Sequence, residues 1–305
     1  MNAPLVTVII ATYNWSSVLR YSIASVLAQT FRDFELLVVG DGCTDDSEQV
    51  VTAIDDPRVR WINLPENTGH QSGPNNRGLR EARGEFIAYL GHDDLWLPHH
   101  LECMTAALDK DGAALAYSLL ARVFPGQDVG TPLLPLPRHR FWGSPSCTVH
   151  RRCVTDSIGG WAEHRNLNRA PDAELWSRMH SAGYHLAFVP RLTAIKFPAM
   201  FRRNVYRDKP SHEQAAWLQR IQSDPHFEAE HLVSMILAGE AARAMPAHAL
   251  VPLVLRELGK RLVWRLSPRS GLNALFWRAK GGAIDVTRKY KGLQRSQHEL
   301  KEPKC

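Results

Sequence analysis

Three stretches of this chain are apolar almost without interruption, and each stops abruptly at polar residues. LVTVII (Leu5–Ile10) runs into Ala-Thr-Tyr-Asn, FELLVV (Phe34–Val39) into Gly-Asp-Gly, and FIAYL (Phe86–Leu90) into Gly-His-Asp-Asp. A strand with one wet face alternates apolar and polar residues, whereas a continuous run belongs to a strand buried on both faces. VRWINLP (Val59–Pro65) reads as a further strand. Between the strands lie helical patterns. Leu19, Ile23, Val26 and Leu27 recur at helical spacing behind Ser16 or Ser17 as cap, TDDSEQVVTAI looks like a capped helix, and NRGLREARG is stopped by glycine. Strand alternating with helix predicts a parallel, wound α/β sheet.

Such sheets bind ligands beyond the carboxyl ends of their strands. Three ends carry polar clusters: Thr12-Tyr13-Asn14, Gly40-Asp41-Gly42 and Gly91-His92-Asp93-Asp94. One crevice would receive all three. Adjacent carboxylates after a buried run are costly unless a cation or a set of donors compensates them. Asp93 and Asp94 are therefore candidates for Mg²⁺ or Mn²⁺, which one or two carboxylates hold together with substrate phosphates. Read alone, the pair fits equally a cap on the helix near Pro98 and a solvated neighbour. Asp41 can accept from a nucleobase N–H or a ribose hydroxyl. Asp45 and Asp46 suit a turn and a helix cap. His99 and His100 are expected on the exposed start of a helix, with His92 shaping its loop.

VTVIIATYN, ELLVVGDGCTDDS, ENTG, ARGEFIAYLGHDD and APDAELWSRMHSAGYHLAFVP follow one another over roughly residues 4–195. In order and spacing they resemble the family 2 glycosyltransferases. The resemblance implies the GT-A fold, a Rossmann-like α/β architecture with a mostly parallel central sheet flanked by helices. It implies a catalytic domain over 1–205, with a nucleotide-sugar half over about 1–96 and an acceptor half over about 97–205. A helical, basic C-terminal extension over 206–305 follows. The activity implied is metal-dependent transfer of a sugar, with inversion, from a nucleotide-diphosphate sugar (a UDP-sugar first) to a hydroxyl of a glycan or lipid-linked acceptor. Bacterial-type polysaccharide, glycolipid or other glycoconjugate synthesis is the setting. Asp94 falls on the metal position of the DXD-type motif, with Asp93 near the ribose or the metal, and Mn²⁺ or Mg²⁺ as cofactor. Ala11, Thr12, Tyr13, Asn14, Asp41 and Gly69 fall on the nucleoside pocket, and Asp172 on the general base. A single displacement needs one base on the acceptor hydroxyl, where a hydrolase needs two carboxylates flanking the sugar. Trp161 is an acceptor-stacking candidate and equally a buried indole.

Four departures stand out. Gly40 and Gly91 replace acidic residues common in the family. GPNN (Gly73–Asn76) replaces a stretch with a base-facing arginine, for which Arg77 or Arg80 would have to substitute. Pro171 leaves Asp172 as the single base candidate. Two other readings remain: a nucleotide-sugar-binding protein without transfer activity, tethered at a membrane, and a nucleotidyltransferase. The intact Asp94 and Asp172 speak against the first. The lack of a Gly/Lys-rich phosphate loop after the first strand speaks against the second.

Composition bounds the rest. With 44% hydrophobic and 22% charged residues and a mean hydropathy of −0.27, the chain reads as soluble and globular. No apolar run approaches the roughly 18 to 20 residues of a membrane span, and the N-terminus lacks a basic signal region. Five scattered cysteines without a CxxC pair suit reduced thiols in a cytoplasmic setting. Residues 251–295 hold 11 Lys/Arg against 2 Asp/Glu, leaving 26 basic and 29 acidic residues elsewhere. Two readings of that tail stay open. It docks peripherally on the inner, anionic face of a membrane, or it packs a Leu stripe (Val251, Leu255, Leu258, Leu262, Leu266) on the catalytic domain. No nucleic-acid-binding motif accompanies the charge.

Overall fold

The computed structural model describes residues 3–133, 143–163, 167, 170–243 and 290–293. Four strands, β1 (Val6–Thr12), β2 (Phe34–Gly40), β3 (Val59–Asn63) and β4 (Phe86–Gly91), pair in parallel in the order β3-β2-β1-β4. Their pleat divides the apolar runs between two cores. Val6, Val8, Ile10, Leu36, Val38, Phe86, Ala88 and Leu90 face one, where α1 (Ser16–Leu27) and α4 (His100–Asp111) pack. Ile9, Leu37, Val39, Ile87 and Tyr89 face the other, with α6 (Pro171–Ser181) over them. That two-sided burial is why the runs do not alternate. Glu35 survives inside β2 because burial, which would raise its pKa, is outweighed by Arg83 and Thr7: the Arg83 backbone N–H, its Nε–H and the Thr7 hydroxyl each donate to it at 2.8 Å.

The sheet continues through β8 (Thr148–Arg151), β6 (Leu115–Arg122), β9 (Leu186–Lys196) and β5 (Leu95–Trp96), with β7 (Thr131–Leu133) on the side of β6. β8 runs against both β4 and β6, and β9 runs parallel to β6. So β1, β2, β3, β4, β6 and β9 all point the same way, and the sheet is mostly parallel as expected. The carboxyl end of β9 consequently reaches the same edge as those of β1, β2 and β4. The two-residue β5, which the sequence pattern does not reveal, reverses the chain after Asp94 and pairs Leu95 with Ile195.

Helices α2 (Ser47–Thr52), α3 (Ser72–Glu81) and α5 (Arg152–Ile158) complete the layers around the sheet. Past residue 205 come α7 (Val205–Asp208), α8 (His212–Ser223) and α9 (Phe227–Arg243). Trp217, Leu218, Ile221, Phe227 and Met235 of this region share one core with Leu95, Leu97, Leu192, Ile195 and Phe197. Among the described residues no helix is long and apolar enough to cross a membrane. The Leu stripe and nearly all of the basic tail lie outside the described residues, Tyr290–Leu293 excepted.

Two local expectations change. Neither Ser16 nor Ser17 caps α1 with its side chain; the Ser16 backbone N–H donates instead to Asp45 Oδ2 at 3.1 Å. His100 is not exposed. It is fully buried, stacked on Trp96 with ring centroids 4.1 Å apart, and its Nδ1 lies 2.7 Å from Thr193 Oγ1. Because β5 draws the start of α4 against β9, the histidine has no route to solvent.

Candidate active site

The acidic pair at the end of β4 is split by its surroundings. Asp94 is fully buried and both carboxylate oxygens are taken. Ser146 donates its hydroxyl to Oδ2 at 2.5 Å, the Lys196 ammonium donates to the same oxygen at 2.9 Å, and the Phe197 N–H donates to Oδ1 at 3.0 Å. Asp93 is 9% exposed, and the donor that reaches its carboxylate is its own backbone N–H. Burial and the neighbouring Asp94 charge push the Asp93 pKa up. Gly91 belongs to the same construction, because a Cβ there would stand 2.7 Å from Asp94 Oδ2. The absent acidic residue leaves the space in which Asp94 folds back under the strand end.

Lys196 is the residue that the sequence reading misses. Burial works to remove its proton, yet the charges of Asp94, Asp93 and Asp172 overcome it and hold the ammonium above its ordinary pKa. One cation therefore lies within electrostatic reach of all three expected carboxylates. The signal available in the sequence was a lone lysine closing the run LTAIK; the parallel direction of β9 is what gives it meaning. Ser146, in a 3-10 turn (Pro145–Cys147), was likewise hidden in the Pro-rich stretch. It accepts from the Gly91 N–H at 3.1 Å while donating to Asp94.

Asp172 stands in the first turn of α6, behind the cap residue Ala170 and Pro171, so it is not itself the cap. Its Oδ1 accepts from the Ala173 N–H at 2.8 Å. Burial raises its pKa, against the lowering effect of that N–H and of Lys196. The helix is fixed by Leu175, Trp176 and Met179 in the core, and the Trp176 indole N–H donates to the Gly143 carbonyl at 3.0 Å. The same anchor thus holds the approach to the Ser146 turn.

At the ends of β1, β2 and β4, parallel register sets Thr12 beside Gly40 and Ala11 beside Gly91. Thr12 Oγ1 lies 2.9 Å from His92 Nδ1, and burial pushes the His92 pKa down to about 4, leaving a neutral ring. Tyr13 is half-buried, and Asn14, at φ 45°, ties the loops together by accepting from the Thr44 N–H at 2.7 Å. Asp41 accepts from the Thr68 N–H (2.9 Å), the Thr68 hydroxyl (2.7 Å) and the Gly69 N–H (3.2 Å), so it positions the ENTG loop. A carboxylate offers about four acceptor sites; three go to that loop. A Cβ at Gly40 would stand 2.7 Å from the Trp61 ring, which fills the space an acidic side chain would need. Arg77 pairs with Glu81 at 2.8 Å and Arg80 is exposed.

Trp161 does not suit acceptor stacking. It is 3% exposed, edge-on to Tyr89 at 5.1 Å, and its backbone is clamped by the Asn76 side chain at 2.8 Å on both N–H and carbonyl. Stacking on a sugar needs an open face, and this indole belongs to the core.

Among the described residues no three His, Cys, Asp or Glu side chains are grouped to cage a metal. Hard cations at phosphate sites need only one or two carboxylates, with substrate oxygens and water completing the shell. Asp93 fits that use, having an oxygen donor at the site edge with no cation hydrogen-bonded to it. Asp94 fits it less well, since its oxygens are turned onto Ser146, Lys196 and Phe197.

Known proteins share both sequence and shape with this chain. The UDP-Glc:alpha-D-GlcNAc-diphosphoundecaprenol beta-1,3-glucosyltransferase WfgD of Escherichia coli is 33% identical over 117 residues, covering 38% of this chain and 46% of WfgD. The chain thus spans less than half the length of such curated relatives. The structure of S. aureus TarS 1-349 in complex with UDP-GlcNAc superposes with TM-score 0.54 at 17% identity, covering 76% of this chain and 71% of that one. The mannosyltransferase PcManGT of Pyrobaculum calidifontis, in complex with GDP-Man and Mn2+, superposes with TM-score 0.53 at 18% identity, covering 96% and 88%. The fold is that of these glycosyltransferases, and the family model "Glycosyl transferase family 2" matches residues 7–208, which takes in every carboxylate of the site: the chain belongs to the family 2 glycosyltransferases.

Proposed function

We propose that this protein transfers a sugar from a nucleoside-diphosphate sugar to an acceptor hydroxyl in one inverting displacement, with Asp172 as the base. The observation that carries the reading is the convergence of Asp93, Asp94 and Asp172 on Lys196 at the carboxyl edge of the sheet. In this reading Asp41 and the backbone of Ala11, Thr12, Tyr13 and Asn14 frame the nucleoside, with Gly69 closing it. Asp93, with Lys196 behind it, faces the diphosphate. Asp93 is the first oxygen ligand for Mn²⁺ or Mg²⁺, and Asp94 orders the strand end and the lysine. The chemistry such a cation supplies when bound is neutralisation of the charge developing on the leaving diphosphate. Asp172 accepts the acceptor's proton as the new bond forms, and a raised pKa suits it to that task near neutral pH. UDP is the favoured nucleotide, because WfgD uses UDP-Glc and TarS binds UDP-GlcNAc. A lipid-linked glycan is the favoured acceptor, with the protein working at the cytoplasmic face of a membrane.

The test is nucleoside-diphosphate release from a panel of nucleotide sugars, each with Mn²⁺, Mg²⁺ or EDTA. Release from one donor, a UDP-sugar, that stops in EDTA is the expected result. Undiminished release in EDTA removes the metal from the account, and failure of every donor to bind removes the donor site altogether.

A further inference from the structure

The short segment Tyr290–Leu293 packs on the chain that leaves the sheet after β9. Its seat is the turn around α7. The Asn204 N–H donates to the Tyr290 carbonyl at 2.8 Å. Gly292, at φ +82°, packs so closely that a Cβ would stand 3.1 Å from Arg207 Cβ and 3.2 Å from Asn204 Cα. The turn itself is bent by two left-handed residues, Asn204 (φ 55°) and Lys209 (φ 47°), a conformation that non-glycine residues adopt only where the surroundings enforce it.

The surroundings are the donor site. From α7, Tyr206 sets its hydroxyl 3.3 Å from His92 Nε2 and lies edge-on to Trp15, with ring centroids 5.3 Å apart. His92 is the other face of the Thr12 contact and the residue before Asp93. The chain of contacts is continuous: Tyr290–Leu293 on Asn204 and Arg207, Tyr206 on His92, His92 on Thr12. The charge of Lys291 is felt at both His92 and Asp93, alongside that of Lys196.

We propose that Tyr290–Leu293 is a built-in part of the donor site, with Lys291 contacting the diphosphate of the nucleoside-diphosphate sugar. Lys196 approaches the same carboxylates from the end of β9, so a diphosphate at Asp93 meets the positive charge of both lysines. Asp93 alone offers that ligand only repulsion. The left-handed backbone at Asn204, Lys209 and Gly292 then has a purpose, since it holds the segment in one place before the ligand arrives. The inference rests on the donor-site reading above.

The experiment is calorimetry of UDP, GDP, dTDP, CDP and ADP on the full chain, with the matching nucleoside followed by ligand-observed NMR. The proteins are wild type, Lys291→Gln, Gly292→Val and Asp41→Asn. Wild type binds one diphosphate, and Lys291→Gln weakens it roughly tenfold, the equivalent of about 1.4 kcal/mol, as expected for a lost charge-assisted hydrogen bond. Affinity for the nucleoside stays within about twofold of wild type. Gly292→Val keeps the lysine but displaces its seat, and it weakens the diphosphate likewise. If Asp41→Asn loses binding while Lys291→Gln and Gly292→Val match wild type, the segment is not part of the site and the donor reading survives. Equal losses for nucleoside and diphosphate in Lys291→Gln also overturn the phosphate contact. If wild type binds none of the five, the donor reading falls and this inference with it.

Discussion

In the proposed site Asp94 is a charge held by its neighbours, Ser146, Lys196 and Phe197, rather than turned outward. Its carboxylate is fully buried yet triply hydrogen-bonded, and its partner Lys196 is only partly exposed. Removing one member of such a pair leaves the other uncompensated. Lys196→Met is expected to lower the unfolding free energy by about 3 kcal/mol, read from urea denaturation, and Lys196→Arg by much less. Equal stability for Met and wild type would mean that the pair is not buried as described. Asp172 is the opposite case. Its raised pKa means that folding favours the protonated form, so ionisation at neutral pH costs stability. Activity needs the ionised form, is full well above that pKa, and is lost as the pH falls through it. The acid limb of kcat/KM is therefore expected above the ordinary Asp value of about 3.9. The positions of Asp41 at a strand end and of Asp172 at a helix start were legible because each lies within an ordered motif. Lys196 and Ser146 were not, because a lysine at the end of an apolar run and a serine among prolines carry no motif. Only the third dimension pairs them with Asp94.

At the scale of elements, the four leading strands were legible because two-sided burial leaves continuous apolar runs. The two-residue β5 was not, since two residues carry no periodicity, and it decides where Asp94 points by reversing the chain onto β9. His100 was expected on an exposed helix start and is buried against Trp96, while for Trp161 packing decides between the two roles left open, because an amphipathic ring carries no burial signal in a sequence. The helices beyond residue 205 were legible as helices, but their partner was not. Trp217 of α8 is 4% exposed and touches Phe197 and Phe227 edge-on, at 6.3 and 6.1 Å. Trp217→Ala is expected to cost about 3–5 kcal/mol, and because Phe197 donates its N–H to Asp94, to impair donor turnover as well. A loss under 1 kcal/mol would indicate that α8 is only loosely attached.

At the scale of the whole molecule, parallel direction does most to create function. Six strands pointing one way deliver Thr12, Gly40, Gly91 and Lys196 to a single edge. Segments that run against them or cross over supply the rest: Ser146 before β8, Asp172 on α6, Tyr206 on α7. Residues from Ala11 to Tyr206 thus gather at one edge of the sheet, and helices α8 and α9 share a core with it. The central claim is that Asp172 is the base of a single displacement at that edge. The most direct measurement compares Asp172→Asn with wild type in turnover, donor affinity and thermal stability on one preparation. The account predicts a fall in kcat of roughly 10²–10⁴, an unchanged donor Kd and a melting temperature no lower than wild type. Turnover within a few-fold of wild type, or loss of donor binding along with activity, would contradict it.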